Sequence, residues 1–368
     1  MAGPLNGITL VEFAGIGPGP FCGMILADLG AEVIRIDRSS QHGHGNTIDF
    51  QHRSKSSLTA DLKNTETIAE IKKLLQSVDG LIEGFRPGVM ERLGLGPDEC
   101  IKINPNLVYG RMTGWGQEGP LAKTAGHDIN YIALTGALES MGRKGQTPPP
   151  PLNLVGDFGG GGMFLALGIV SALLNIKQGG KGQVVDAAMV DGASVLMSMF
   201  YAFKASGFWL EERESNLLDG AAHFYDTYEC ADEKFLAVGS IEPQFYSVLL
   251  EKLEISDPKF QDQHNKELWP ELKAIIGDKI KEKTRDEWAD IFDGSDACVA
   301  PVLSLSEAPD HHHMKARNSF IEVDGVIQPA PAPRFSDTNS QIKHSSVKAG
   351  ANNDEICTKY NLDRSCFS

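Results

Sequence analysis

A strand–loop–helix–strand run in residues 7–36 constrains the fold most. The apolar pattern predicts a strand at 8–12, a glycine-bearing loop, a helix at about 20–29 and a second strand at 32–36. Two strands joined through a helix run parallel, so a parallel sheet covered by helices follows. Strands and helices continue to alternate after this run. The sequence therefore predicts an α/β fold with a doubly wound, Rossmann-like large domain.

The loop after the first strand is similar to a dinucleotide-binding turn but departs from it. Gly15 and Gly17 match the first two glycines of the G-x-G-x-x-G pattern, and Asp37 follows the second strand. Pro20 stands where the third glycine belongs, and Pro18 and Pro20 lack the N–H groups that would hold a pyrophosphate. This mismatch argues against a nicotinamide site. The loop can still line a pocket at the carboxyl ends of the strands.

Several basic residues lie in or beside the polar stretch 39–57. Such residues usually solvate a surface, but beside a glycine loop they can also bind phosphate. The formal net charge of the chain is -15, so an anionic ligand needs a local basic cluster to overcome the repulsive overall field. The sequence predicts such a cluster from Arg35, Arg38, Arg53, Lys55 and Lys63.

Two proton-carrying side chains stand on separate predicted loops. His127 lies in GHDINY, and Asp157 lies in GDFGGGG before an apolar helix predicted at 159–177. Such a pair can place a base and an acid on either side of a small substrate. Each residue also has an ordinary alternative, because Asp is a preferred N-cap and a single His is usually structural. The bare backbone of residues 159–162 is a candidate set of donors for a developing oxyanion.

A smaller unit follows a polar stretch at 206–222. Two alternating strands joined at 231–233 predict a hairpin, and Pro243 predicts the start of a helix. Glu242 stands at the entrance of that helix although Glu is not a preferred N-cap. Favourable interaction with the helix dipole is the ordinary explanation, and a functional role is the alternative.

Charge and composition narrow the possible partners. The acidic net charge argues against nucleic-acid binding, for which a basic face is expected. Six scattered cysteines without a C-x-x-C pair predict reduced thiols, and no carboxylate or cysteine spacing supports a metal site at the histidines 311–313. The most apolar run, 163–176, is too short to span a bilayer, so no membrane insertion is expected. Without a signal-peptide pattern, the chain is predicted to be intracellular and soluble. Its ending, RSCFS, is not the simple SKL address of peroxisomal proteins.

Six motifs, taken together and in order, resemble those of the α-methylacyl-CoA racemase branch of the family III CoA transferases, the CaiB/BaiF-like proteins. They are GIGPGPFCGMILADLGAEVIRIDR, GFRPGVMERLGLGP, RMTGWGQEGP, GHDINYIALTGAL, GDFGGGG and GSIEPQFY. The resemblance runs from Gly3 to about Phe335, and GHDINY with IEPQFY is specific to the racemase branch.

The resemblance implies an architecture of two domains. These are a large doubly wound domain at 1–205, a linker at 206–223, a small α/β domain at 224–325, and a segment at 326–368 that rejoins the large domain. It also implies an interlocked homodimer with the site between large and small domains. Relatives work in mitochondria and peroxisomes of eukaryotes and in the cytoplasm of bacteria.

The resemblance also implies roles for individual residues. His127 and Asp157 match the two acid/base residues of the racemases, and Glu242 matches the carboxylate that pairs with the histidine. No metal and no cofactor are implied, since CoA is part of the substrate. The implied CoA contacts are Arg38, Ala60, Asp61, Leu62, Lys63, Gly84, Phe85, Arg86, Arg92, Gly126, Asp128, Ile129, Asn130 and Tyr131.

The expected reaction interconverts (R)- and (S)-2-methyl-branched acyl-CoA thioesters through an enolate, by removal and return of the α-proton. One alternative is a CoA transferase in which Asp157 is the nucleophile. Another is an inactive acyl-CoA-binding relative. His127 with Glu242 favours the racemase, because a nucleophilic aspartate needs no second base across the substrate.

Overall fold

The computed structural model describes residues 3–367. Its strands are β1 (Thr9–Phe13), β2 (Glu32–Arg38), β3 (Lys55–Ala60), β4 (Gly80–Glu83), β5 (Val108–Thr113), β6 (Val184–Ala188), β7 (Tyr225–Glu229), β8 (Phe235–Gly239), β9 (Val299–Pro301), β10 (Phe320–Val323) and β11 (Val326–Pro329). Its α-helices are α1 (Pro18–Asp28), α2 (Thr65–Leu75), α3 (Val89–Arg92), α4 (Pro97–Ile103), α5 (Asp128–Ala133), α6 (Met163–Lys177), α7 (Met189–Leu196), α8 (Ser198–Ala205), α9 (Pro243–Lys252), α10 (Trp269–Ile280), α11 (Arg285–Phe292), α12 (His312–Ala316) and α13 (Asn353–Tyr360).

The described chain forms two compact units. The first contains residues up to 135, residues 151–197 and the chain from residue 312 onward. The second contains residues 136–150 and 198–311. These bounds differ from the predicted domains, in part because Arg143 forms ion pairs with Glu214 and Asp226 and so joins 136–150 to the second unit.

A six-stranded parallel sheet with the order β3-β2-β1-β4-β5-β6 forms the centre of the first unit. This order confirms the predicted doubly wound fold. The strand order reverses between β1 and β4, where doubly wound sheets bind their ligands. Helices bury both faces of the sheet, with Leu74 and Tyr109 in one core layer and Leu26 and Leu165 in the other.

The predicted basic cluster is largely wrong, because three of its five cations are buried. Arg53 pairs with Asp28 at 2.5 Å, and Arg35 pairs with Asp37 at 2.7 Å. Lys55 is fully buried and donates to Glu12 Oε2 at 2.6 Å. Lys55 begins β3, an edge strand that starts inside the polar stretch 39–57.

The helix predicted at 159–177 begins earlier. A π-helical segment, Leu154–Gly162, leads without interruption into α6. By length and composition alone this run of 24 residues is long and apolar enough to cross a membrane, a test that the core helix of a soluble protein also passes. Its Leu165 and Ile169 belong to the buried core of the first unit.

The glycines at 159–162 allow close packing of the π-helical segment. A Cβ added at Gly160 would lie 2.5 Å from the backbone N of Ala193 in α7, and one added at Gly162 would lie 2.8 Å from the Pro18 carbonyl oxygen in α1. Side chains at these positions would push both helices away.

The second unit carries a three-stranded antiparallel sheet, β7-β8-β9, covered by helices that include α9, α10 and α11. The hairpin of β7 and β8 and the helix starting at Pro243 are confirmed. The core of this unit contains Phe224, Trp269 and Trp288.

The C-terminal segment covers the edge strand β3. The Asn352 and Asn353 side-chain oxygens accept the backbone N–H groups of Ser57 and Thr59, both at 3.0 Å. Asn353 also donates to Thr59 Oγ1 at 2.9 Å. Two asparagine side chains thus occupy backbone donors that a neighbouring strand would otherwise take.

Candidate active site

A cavity of about 770 Å³ lies at the carboxyl ends of β1, β4 and β5, beside the point where the strand order reverses. The loop between β1 and α1 forms one wall, as predicted for a pocket-lining loop. Its lining includes Gly17, Arg38, Glu83, Gly84, Phe85, Arg86, Trp115, Gly126, His127, Tyr131, Asn153 and Asp157.

Asp157 is half-buried in the first turn of the π-helical segment and lines the cavity. It is not the N-cap, a position that Asn153 occupies. Asn153 Nδ2 donates to Asp157 Oδ2 at 3.2 Å. Burial raises the pKa of Asp157, the hydrogen bond from Asn153 lowers it, the charge of Asp128 raises it, and that of His127 lowers it. A raised pKa brings a carboxyl group closer to the range in which it can both take and give a proton.

His127 is the N-cap of α5 and is exposed at the same cavity. Its backbone N–H donates to Asn130 Oδ1 at 3.0 Å, which fixes the entry into the helix. The Tyr131 hydroxyl donates to the Gly126 carbonyl oxygen, and its ring packs edge-on against Trp115 with 4.8 Å between centroids. The imidazole therefore projects from a backbone held on both sides.

Gly17 brings the β1–α1 loop against Asp157. Its φ of 70° lies in the left-handed region that favours glycine. A Cβ at this position would lie 3.2 Å from Asp157 Oδ2. A carboxylate stands where the second glycine of a dinucleotide turn would face pyrophosphate, and this agrees with the sequence mismatch.

The predicted oxyanion donors at 159–162 are not free. The Phe158 N–H donates to the Asn153 carbonyl oxygen, and the Met163 N–H donates to that of Phe158, so the i to i+5 bonds of a π-helix run through the glycines. The two donors just before them, on Gly156 and Asp157, are taken by Asp128. The prediction that the backbone of residues 159–162 donates hydrogen bonds to the oxyanion is therefore wrong.

Glu83 supports the cavity wall and was missed in the sequence. It is 1% exposed at the end of β4, where its Oε2 accepts the Phe85 N–H at 2.8 Å and its Oε1 accepts Arg111 Nε at 2.8 Å. Burial raises the pKa of Glu83. A charged residue inside the apolar strand GLIE was the signal that a buried partner exists.

The implied CoA contacts fall into two groups. Arg38, Gly84, Phe85, Arg86, Gly126 and Tyr131 line the cavity. Ala60, Asp61, Leu62, Lys63, Arg92, Asp128, Ile129 and Asn130 do not line it. Ala60 pairs in register with Arg38, so the loop that follows Ala60 starts beside Arg38 at the same edge of the sheet.

Glu242 belongs to the second unit, where it is the N-cap residue of α9. Its side chain makes no capping hydrogen bond. The implied pairing of this carboxylate with His127 stays a prediction.

Within residues 3–367 no group of three or more His, Cys, Asp and Glu side chains has a geometry suited to a metal ion. The cavity instead presents one imidazole and exposed guanidinium groups at Arg38 and Arg86. It also presents two carboxyl groups with raised pKa values, of which Glu83 is already bonded to Arg111 and Asp157 is not. This set fits proton transfer on an anionic substrate.

Comparison with known proteins gives consistent results. Residues 5–353 match the model of CoA-transferase family III. The chain is 48% identical to α-methylacyl-CoA racemase from Mus musculus over 329 residues. The aligned part makes up 89% of this chain and 85% of the relative. The chain is 46% identical over 335 residues to α-methylacyl-CoA racemase from Homo sapiens, with 91% and 87% covered. A crystal structure of a CaiB/BaiF family protein from Brucella suis superposes with a TM-score of 0.83 at 26% identity, covering 98% of this chain and all of that one.

Proposed function

Because the chain belongs to CoA-transferase family III, we propose that it is an isomerase that interconverts (R)- and (S)-2-methylacyl-CoA thioesters. One observation carries the proposal: His127 and Asp157 open onto one cavity at the switch point of the sheet. The identity of 48% to a racemase over most of the chain supports it. Beyond the CoA of the substrate, no cofactor is part of the proposal.

The chemistry needs one group on each face of the α-carbon. The thioester makes the α-hydrogen weakly acidic, and one side chain removes it to give an enolate. The other side chain then returns a proton to the opposite face, which inverts the centre. His127 and Asp157 exchange these roles when the direction reverses. We assign Glu242 to orient and stabilise the protonated imidazole, as a carboxylate does for other catalytic histidines.

Four exposed cations are the proposed contacts of the CoA phosphates, and two of them, Arg38 and Arg86, line the cavity. Arg38, Lys63, Arg86 and Arg92 are exposed, whereas the other cations of the predicted cluster are buried in ion pairs. A planar guanidinium binds phosphate oxygens in a bidentate way, so Arg38 and Arg86 are suited to this contact.

Arg86→Ala is expected to raise KM for an acyl-CoA roughly 10-fold to 100-fold, which corresponds to one lost charge-assisted bond of about 1.5–3 kcal/mol. The value of kcat should change little, since the contact lies away from the α-carbon. Steady-state kinetics with the CoA thioester and with the N-acetylcysteamine thioester, which lacks phosphates, measures this. Only the first substrate should respond. Arg317→Ala, at an exposed cation elsewhere, is the control. An equal loss for both substrates would refute the phosphate contact.

A homodimer is also part of the proposal. One face of α6 exposes Met163, Leu167 and Leu174, with 46%, 63% and 57% of their surface accessible. The spacing of four and seven residues places them on one side of the helix. Leu167→Lys is therefore expected to shift the protein toward monomer in sedimentation experiments. Leu305→Lys, at a fully exposed leucine of the second unit, serves as the matched control. Unchanged sedimentation of the Leu167 variant would remove α6 from the interface.

The function itself is tested in deuterated water with one epimer of a 2-methylacyl-CoA. Loss of the α-proton signal in NMR, with both epimers formed, is the expected result. Transfer of CoA to an added free acid without exchange of the α-proton would contradict the racemase. It would instead identify the transferase alternative with Asp157 as nucleophile. Binding of acyl-CoA with neither reaction would identify an inactive relative.

A further inference from the structure

The Asp128 side chain joins the two segments that carry the proposed acid/base pair. Asp128 directly follows His127, and the residue is 6% exposed. Its Oδ2 accepts the backbone N–H groups of Gly156 and Asp157, both at 2.7 Å. Its Oδ1 has no hydrogen-bond partner among the described residues. Asp128 is not part of the cavity lining, so its side chain is not placed to contact a ligand there.

We propose that Asp128 is a positioning residue, whose buried carboxylate fixes the Asp157 backbone relative to His127 and adds a negative charge behind the Asp157 side chain. This inference rests on the proposed racemase function. It gives Asp128 a role different from the CoA contact that the family resemblance implied.

The local sequence shows why a distant carboxylate is needed. The first N–H groups of any helix lack partners within the helix, and a side chain at the N-cap usually accepts them. Asn153 at the N-cap accepts no such bond, and its Nδ2 donates to Asp157 Oδ2. The acceptor comes from Asp128, 28 residues earlier than Gly156. Gly156 permits this approach, since a Cβ there would lie 2.7 Å from Asp128 Oδ2.

The charge of Asp128 acts on the Asp157 carboxyl group. Burial is the main cause of the raised pKa of Asp157, the Asn153 hydrogen bond opposes it, Asp128 adds to it, and His127 lowers it. Other charged groups on the elements packed against this segment have different partners. Arg111 on β5 and Asp191 on α7 act on Asp186 of β6, and Asp28 at the end of α1 pairs with Arg53.

Two substitutions of Asp128 separate the effect of its hydrogen bonds from the effect of its negative charge. Asp128→Asn keeps an oxygen that can accept both N–H groups but removes the charge, whereas Asp128→Ala removes both. For Asp128→Ala we expect kcat for α-proton exchange to fall about 100-fold with KM nearly unchanged, since a small misplacement of a reacting group has an effect of this size. For Asp128→Asn we expect kcat within about 10-fold of wild type.

The pH dependence of α-proton exchange distinguishes a role of the Asp128 charge from a purely structural role, which would not shift it. Loss of a neighbouring negative charge lowers the pKa of a carboxyl group. The acidic limb of exchange reports the His127–Asp157 pair, so it should move to lower pH in Asp128→Asn. Asp191→Asn, which removes an exposed carboxylate on α7, should leave the limb in place. Circular dichroism and the thermal midpoint report whether each variant folds.

The outcomes are distinguishable. If wild-type protein exchanges no α-proton, the proposed function fails. If wild type exchanges but the limb of Asp128→Asn stays in place, the charge role of Asp128 is overturned. This result is available even if Asp128→Ala does not fold. A folded Asp128→Ala with wild-type kcat overturns the positioning role.

Discussion

Asp157→Asn is expected to lower the rate of racemisation at least 10³-fold. The variant should still exchange the α-proton of one of the two epimers. A missing acid or base typically costs between 10² and 10⁴ in rate. Asparagine keeps the shape of the side chain that lies beside Gly17 and Asn153. With Asp157 inactive, His127 can still remove the α-proton of the epimer that presents it to the imidazole. His127 can then deliver deuterium only to the face from which it took the proton, so this epimer exchanges with retention of configuration.

His127→Ala is the complementary variant. It should exchange the α-proton of the opposite epimer only, because Asp157 is then the sole base. Proton NMR of both epimers in deuterated water, combined with chiral analysis of the recovered acid, measures exchange and inversion separately. Exchange of the same epimer by both variants would contradict a base on each face, and undiminished inversion by either one would exclude that residue.

Lys55→Met is expected to reduce the free energy of unfolding by about 3–5 kcal/mol at pH 7, the usual effect of leaving one member of a buried ion pair alone. Lys55 and Glu12 are both fully buried, and Lys55 Nζ also donates to the Pro20 carbonyl oxygen at 2.9 Å. Burial raises the pKa of Glu12 and lowers that of Lys55. The substitution therefore also loosens the cavity wall at Pro20.

The pH dependence of this loss identifies its cause. Without Lys55 the raised pKa of Glu12 means that the folded state holds a proton that the unfolded state releases. The stability of the variant should therefore fall as pH rises above the ordinary value of 4.5 and recover as pH falls toward it. Urea unfolding at pH 5 and pH 7 measures the difference. The variant that combines Glu12→Leu with Lys55→Met should be close to wild type. If it is as unstable as the single variant, an unpaired charge is not the cause.

The parallel sheet was predictable because its signals are local. Apolar strands, an intervening helix and glycine turns give the order of elements, and β1, α1 and β2 begin and end within two residues of the predicted positions. Which charges would meet was not predictable. Glu12 and Lys55 lie on strands that are not adjacent in the sheet, so their pairing depends on strand order and on the helix above them.

The glycine run shows a second limit of sequence reasoning. GDFGGGG indicated a helix start with free donors, and Asp157 in it was a reasonable N-cap. The structure uses the glycines for close packing in a π-helical segment and takes the free donors with Asp128. A hydrogen bond from a residue 28 positions away leaves no local trace in the sequence.

The asparagine pair that covers β3 has a consequence for how the chain folds during its synthesis. Domains fold as units while the chain is being made, N-terminal parts first. The second unit is complete at residue 311, whereas the first unit still lacks the segment holding Asn352, Asn353 and α13. Until then β3 presents unpaired backbone donors to any extended chain, which is a known route to aggregation. The first unit is therefore expected to depend on chaperones until the ribosome has released Asn352 and Asn353.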